Sequence, residues 1–230
     1  MSLTILAIDT SSDACSVALL RHNAINERFQ LAHRQHNALI LPMIEQMLSE
    51  ADLTLKQLDA IAFGRGPGSF TGLRIAASIV QGIAFAADRP VVPVSTLQAL
   101  AQGAWREFGL TRVVSTIDAR INEIYWAAYQ IDDQQLMQPQ TAEIVCAPNE
   151  ITLAKTGPWQ GIGSGWDGYH SILTEHLGGL VQGWKPQCYV KAQDIVKLAD
   201  IAYQKGEIVE AFQAVPVYLR DQVVKERPHG

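Results

Sequence analysis

The residues best equipped for chemistry are Gly64-Arg65-Gly66-Pro67-Gly68-Ser69-Phe70-Thr71-Gly72-Leu73-Arg74, set between a strand-like and a helix-like run. Four glycines let the backbone approach a ligand or a second chain closely, while Pro67 fixes one dihedral and removes one donor. Ser69 or Thr71 can cap the helix that follows. Its first amides lack internal partners and carry partial positive charge, so with Arg65 and Arg74 they form a candidate site for a phosphate or a partner's carboxylate. The loop lacks the Gly-Lys-Ser/Thr ending of a Walker loop, and its spacing is not that of a dinucleotide fingerprint.

Two aspartates end apolar strand-like runs, Asp9 after Leu3 and Asp118 after Val113. Asp9, with Thr10, could orient a phosphate-bound metal or cap its own turn through the amides of Thr10 and Ser11. For Asp118 an ion pair with Arg120 is the plainer reading. His33 and His36 are three apart without a nearby acid to complete a metal site, so capping or partner contact suits them better. The three cysteines, Cys15, Cys146 and Cys188, form no C-x-x-C pair and read as buried structural thiols in a reducing cytoplasm.

These residues need elements to hold them. The spacing predicts strands from Leu3 to Asp9, Cys15 to Arg21, Ala60 to Phe63 and Pro90 to Val94, and helices from Asn37 to Ala51, Thr71 to Ala87 and Thr96 to Phe108. The pattern then restarts: Val113 to Asp118 and Ile124 to Ile131 read as a second hairpin. Placing Ile8-Asp9 over Ile117-Asp118 also places Val17-Ala18 over Trp126-Ala127, which implies a duplicated α/β unit. Residues 132–139 read as polar turn, residues 160–165 as a second glycine-rich turn, Ala192 to Lys205 as a helix, and Ala214 to Arg220 as strand-like. Two lobes are expected, residues 1–108 and a smaller, degenerate one over 109–230.

At 230 residues, 48% hydrophobic and 18% charged, the chain can build a sizeable core. A net charge of −5 argues against autonomous binding of nucleic acid. Trp126, Trp159, Trp166 and Trp184 are scattered and suit packing better than base stacking, and Arg220, Lys225 and Arg227 make a small basic end. The amino terminus lacks a basic leader, and the apolar stretch from Ile75 to Ala87 is too short to span a bilayer. A cytoplasmic protein with no membrane contact is expected.

A duplicated unit of this kind resembles the actin-like ATPase and ribonuclease H-like fold. Within it, Leu6-Ala7-Ile8-Asp9-Thr10, the loop from Gly64 to Arg74 and Pro216-Val217-Tyr218-Leu219-Arg220 resemble the bacterial TsaB (YeaZ) family over essentially the whole chain. The resemblance implies a non-catalytic partner of TsaD in forming threonylcarbamoyladenosine beside the anticodon of tRNAs that read codons beginning with A. The small ATPase TsaE joins the complex, and tRNA meets this chain only there. The catalytic paralogue carries a His-x-x-x-His metal motif whose positions are here Thr96 and Leu100, side chains that cannot ligate a transition metal. No intrinsic cofactor is implied, with ATP or ADP placed at the complex interface near Asp9, Thr10, Arg65, Gly66, Gly68 and Ser69. The resemblance also implies pairing, with TsaD or as a homodimer when alone, through His36, Leu39, Ile40, Met43, Ile44, Met47, Thr71, Arg74, Ile75 and Ser78. On that reading Met43→Glu or Ile44→Arg weakens pairing. Two rivals remain: an independent kinase-like or phosphatase-like enzyme using Asp9 and Asp118, and a glycoprotease-like peptidase, for which no nucleophile elbow is present.

Overall fold

Alternation along the first strand sets up the whole architecture. In the computed structural model, which describes residues 3–32, 34–154 and 157–220, strand β1 (Ile5–Asp9) is buried on both faces. Ile5 and Ala7 join one apolar cluster, Leu6 and Ile8 another, because successive side chains leave a strand on opposite sides. Each face therefore needs its own cover. Helices α1 (His36–Glu50) and α2 (Phe70–Ala87) cover one side; α3 (Thr96–Phe108) and α5 (Ala192–Gln204) fill the other, between the first sheet and a second. Helix α4 (Ser164–Leu177) packs on the far side of that second sheet against Val114, Ile124 and Trp126.

The first sheet runs β3 (Ala24–Leu31), β2 (Ala14–Arg21), β1, β4 (Ala60–Gly66), β5 (Val91–Ser95). The second runs β8 (Met137–Pro139), β7 (Glu123–Ile131), β6 (Arg112–Arg120), β10 (Trp159–Ile162), β11 (Val181–Lys185), with β9 (Ile144–Cys146) also on β7. In each, a central strand pairs antiparallel with a hairpin partner and parallel with the next strand. The implied duplication is therefore present as topology, two mixed sheets with related connections.

The expected alignment of the repeats is one residue out of phase in the opening strands. Ile8 lies in the cluster under α1 and α2, whereas Ile117 lies in the middle layer. A one-residue offset turns every side chain of a strand to the other face. Asp9 accordingly lies beside Thr96 of α3, while Asp118 turns toward Ser164 and Tyr169 of α4.

Several elements fall outside the expected set. β3 follows a turn at His22 and Asn23, both in the left-handed region (φ 52° and 63°), the geometry of a tight hairpin. Residues 137–139 and 144–146 are short strands, and the second glycine-rich turn is strand β10 leading into α4. Residues 214–220 form no strand; Pro216 lacks a donor, and Val217 N donates to Arg65 O at 2.8 Å. Helix α5, from the carboxyl half, packs on β1, β2, β4 and β5 of the first sheet, so the chain crosses between lobes again after residue 185. Helix α2 begins at Phe70 and, by length and composition, is long and apolar enough to cross a membrane; its inner face instead lies on β4.

Candidate functional site

The glycine loop closes on the turn after β1. Ser69 N donates to Ser11 O at 2.8 Å, and the Thr10 hydroxyl donates to Gly72 O at 2.7 Å. A Cβ at Gly68 would come within 2.7 Å of Ser11 O, and one at Gly72 within 1.9 Å of Thr10 O. The small residues thus let two backbone segments touch. Ser69 is the helix cap, accepting from Gly72 N at 3.3 Å.

Asp9 is sealed beneath this contact, with 0% of its surface exposed. Its Oδ1 accepts from Ser11 N at 3.0 Å and Ser11 Oγ at 2.9 Å, the turn-capping role. Its Oδ2 has no hydrogen-bond partner and sits where a Cβ on Gly64 would be 2.1 Å away. Burial pushes the carboxyl up from 3.8 to about 7, with the Ser11 bonds opposing. The carboxyl is thus enclosed, with Ser11 as its hydrogen-bond partner among the described residues.

The expected anion ligands part company. Arg65 reaches across to the second sheet, where its guanidinium donates to Glu143 Oε2 at 3.3 Å, and Tyr129 OH donates to Glu143 Oε1 at 3.1 Å. Gly66 (φ 108°) lies in the left-handed region beside Val217 O rather than facing a ligand. Arg74 lies 3.8 Å over the Phe70 ring and donates to Tyr218 OH at 3.2 Å. Asp118 pairs with Arg120 at 3.0 Å, as the plainer reading has it.

Between the lobes lies a cleft of about 980 Å³. Ser11, Ser12, Ser69 and Arg74 face it from the first lobe; Asp118, Arg120 and Ser164 face it from the second. Tyr125 and Tyr189 line it too, and nothing local in the sequence marks either of them as a cleft residue. A glycine-rich turn followed by serine, repeating Gly68-Ser69 at Gly163-Ser164, is the signal that could have found Ser164. No such signal marks Glu143.

The expected pairing residues divide as well. Ile40, Met43, Ile44 and Met47 belong to the core under the first sheet, at 0, 9, 3 and 4% exposure. Met43→Glu or Ile44→Arg would therefore unsettle the fold itself. Ser78 is exposed on the outer face of α2 and Thr71 and Arg74 are exposed at its cleft end, with Ile75 half-buried; His36 and Leu39 are half-buried on α1. The ring of His36 bonds Ser12 O at 2.8 Å; His33, Lys225 and Arg227 lie outside the described residues. Trp126, Trp159 and Trp166 are buried, and Trp184 stacks on His170 at 5.4 Å.

With the geometry in place, the likeness to known proteins is informative. The model of the TsaD family, tRNA N6-adenosine threonylcarbamoyltransferase, matches residues 22–163. The tRNA threonylcarbamoyladenosine biosynthesis protein TsaB of Escherichia coli is 40% identical over 99% of both chains, and that of Haemophilus influenzae 38% identical over 100% of this chain and 98% of its own. The chain belongs to the TsaB family. The solved structure of YeaZ from Pseudomonas aeruginosa covers 94% of this chain and 100% of its own, at 44% identity and a TM-score of 0.88. A TsaB-family chain belongs to the biosynthesis of threonylcarbamoyladenosine in tRNA, and its two sheets form the duplicated actin-like fold.

Proposed function

We propose that this TsaB-family chain is a non-catalytic subunit that binds TsaD through the outer faces of α1 and α2, with TsaE joining the assembly in the cytoplasm. The observation that carries this reading is the outer face of α2. Phe70 is 51% and Phe85 83% exposed, Leu41 of α1 adds a side chain at 49%, and a Cβ on Gly82 would meet nothing within 4 Å. A second helix pair can approach closely there and bury these side chains. Alone, the chain covers the same face with a second copy, so homodimer and TsaD complex exclude one another. tRNA is met only through the assembly, consistent with the net charge of −5.

The positions of the catalytic paralogue's two histidines support a role without its own chemistry. The Thr96 hydroxyl donates to Pro67 O, and Leu100 packs beside Gly163, so both serve lobe packing. Asp9 caps its turn. ATP or ADP, on this reading, lies at the boundary with TsaD on the cleft side of the loop, beside Ser69, Thr71 and Arg74. The kinase-like rival would need Asp9 and Asp118 to converge on one ligand, and they leave their sheets on opposite faces.

The test is co-elution with TsaD and TsaE, followed by tRNA modification with and without this chain. Ser78→Arg and Phe85→Glu should abolish co-elution while leaving the unfolding midpoint in place at concentrations low enough that the chain is a monomer. Transfer of threonylcarbamoyl from its adenylate to tRNA by the isolated chain would reject the proposal.

A further inference from the structure

We propose that residues 214–220 are an interlobe latch across the cleft mouth, anchored on the first lobe and caught on the second by Arg220. This segment touches both lobes within seven residues. On the first, Gln81 Nε2 donates to Ala214 O at 3.1 Å, and Val217 N donates to Arg65 O at 2.8 Å. Tyr218 then lies against the first turn of α2, its ring 5.5 Å from Phe70 and its hydroxyl accepting from Arg74. On the second, Arg220 pairs with Glu123 at the start of β7 and donates to Arg120 O at 3.4 Å. Tyr218 and Arg220 both line the cleft.

The segment has the physical character of something that can let go. It adopts no regular structure, Val215 and Tyr218 are 56% and 45% exposed, and Pro216 has no amide to donate. Beyond Ala214, which is buried in the core under the first sheet, its residues are half-buried or exposed and are tied by single hydrogen bonds, the character of a segment at the low-stability end of a fold. Its catch, by contrast, is specific. The Arg220 side chain is only 15% exposed and its Glu123 partner 30%, which favours one geometry over a loose surface encounter.

Arg65 is the pivot. Its guanidinium holds Glu143, which keeps the lobes joined when Arg220 is released, while its carbonyl accepts from Val217 N, the bond on which the freed end of the segment then pulls and which opens more often. Release would widen the cleft on the side of the 118–123 turn. That turn carries Arg120, Ile121 and Asn122 in the left-handed region (φ 65°, 56° and 58°), a costly conformation for the β-branched Ile121.

Two readouts on the full chain test the latch: hydrogen exchange at the Val217 amide, and alkylation by iodoacetamide of Cys188, which lines the cleft. Arg220→Ala and, as a milder change, Glu123→Gln should each speed both by about tenfold, with Arg220→Lys recovering part of the loss. The Ile61 amide, bonded to Pro90 O in the first sheet, reports global opening and should hold its rate. If Val217 exchange or Cys188 alkylation is unmoved in both variants, or if Ile61 accelerates in step with them, residues 214–220 are not a latch.

Discussion

Replacing Asp9 by Asn should flatten the dependence of stability on pH between about 4 and 7. The folded chain holds the Asp9 proton up to about pH 7, while the unfolded chain releases it near 3.8. Below 3.8 both states are protonated and the stability of the protonated form is fully present. Between the two values only the folded chain keeps the proton, so stability falls by about 1.4 kcal/mol for each unit of pH. Above about 7 both are ionised and the loss levels off, near 4 kcal/mol in all. Asn cannot titrate. It keeps an oxygen for the two Ser11 bonds but turns an amide toward Gly64, at a cost of roughly 1–3 kcal/mol that does not vary with pH. The useful quantity is therefore the difference between the two profiles.

Asp194, raised by burial to about 6 against the opposing Arg106 pair, has the same sign and cancels in that difference. Urea unfolding at pH 5, 6, 7 and 8 should show Asp9→Asn gaining roughly 2–3 kcal/mol on the parent between pH 5 and 7. Parallel profiles would mean that the carboxylate is ionised in the fold and has a cationic or metal partner. That result would refute the sealed acid and revive the metal-orienting reading.

Gly72→Ala should lower stability by roughly 2–4 kcal/mol, since its Cβ would meet Thr10 O at 1.9 Å and the loop would have to lift from the turn; the urea midpoint reports it. Met43→Glu should cost about 3 kcal/mol or more by burying an unpaired charge, whereas Phe85→Glu, at an 83% exposed site, should lower the stability of the monomer by less than about 1 kcal/mol while abolishing co-elution with TsaD. Arg106→Ala should destabilise by roughly 3–5 kcal/mol at neutral pH, because Asp194, at 2% exposure, loses both hydrogen bonds of 2.8 Å, and lowering the pH toward 5 should restore part of the loss as that carboxyl protonates. Glu143→Gln should weaken the Arg65 tie and speed exchange in the 137–146 segment, by mass spectrometry, more than in β1.

Much of the frame is legible along the chain because it is written in local periods. Helix α3 runs from Thr96 to Phe108, the expected bounds, since its apolar spacing, the serine before it and the glycine after it are all neighbours. Ser69 as a cap, the glycine loop as a strand-to-helix turn and the restart at Val113 follow from the same short-range chemistry. The short strands of the second lobe escape because three residues are too few to show a period, and β3 because its side chains are largely exposed on both faces. The family resemblance was carried by contiguous motifs and so needed no tertiary information.

What a side chain does with that frame was decided at long range. Arg65 looks like an anion ligand until Glu143, 78 residues away, takes its guanidinium. Asp9 and Asp118 look equivalent until a one-residue shift turns them to opposite sheet faces, and Met43 looks like an interface residue until the first sheet buries it. Helix α5 belongs by sequence to the second half, yet it packs on the first sheet. Periodicity specifies which face of an element is apolar; only the folded chain determines what that face meets, because the partners are brought together by burial and not by proximity in sequence.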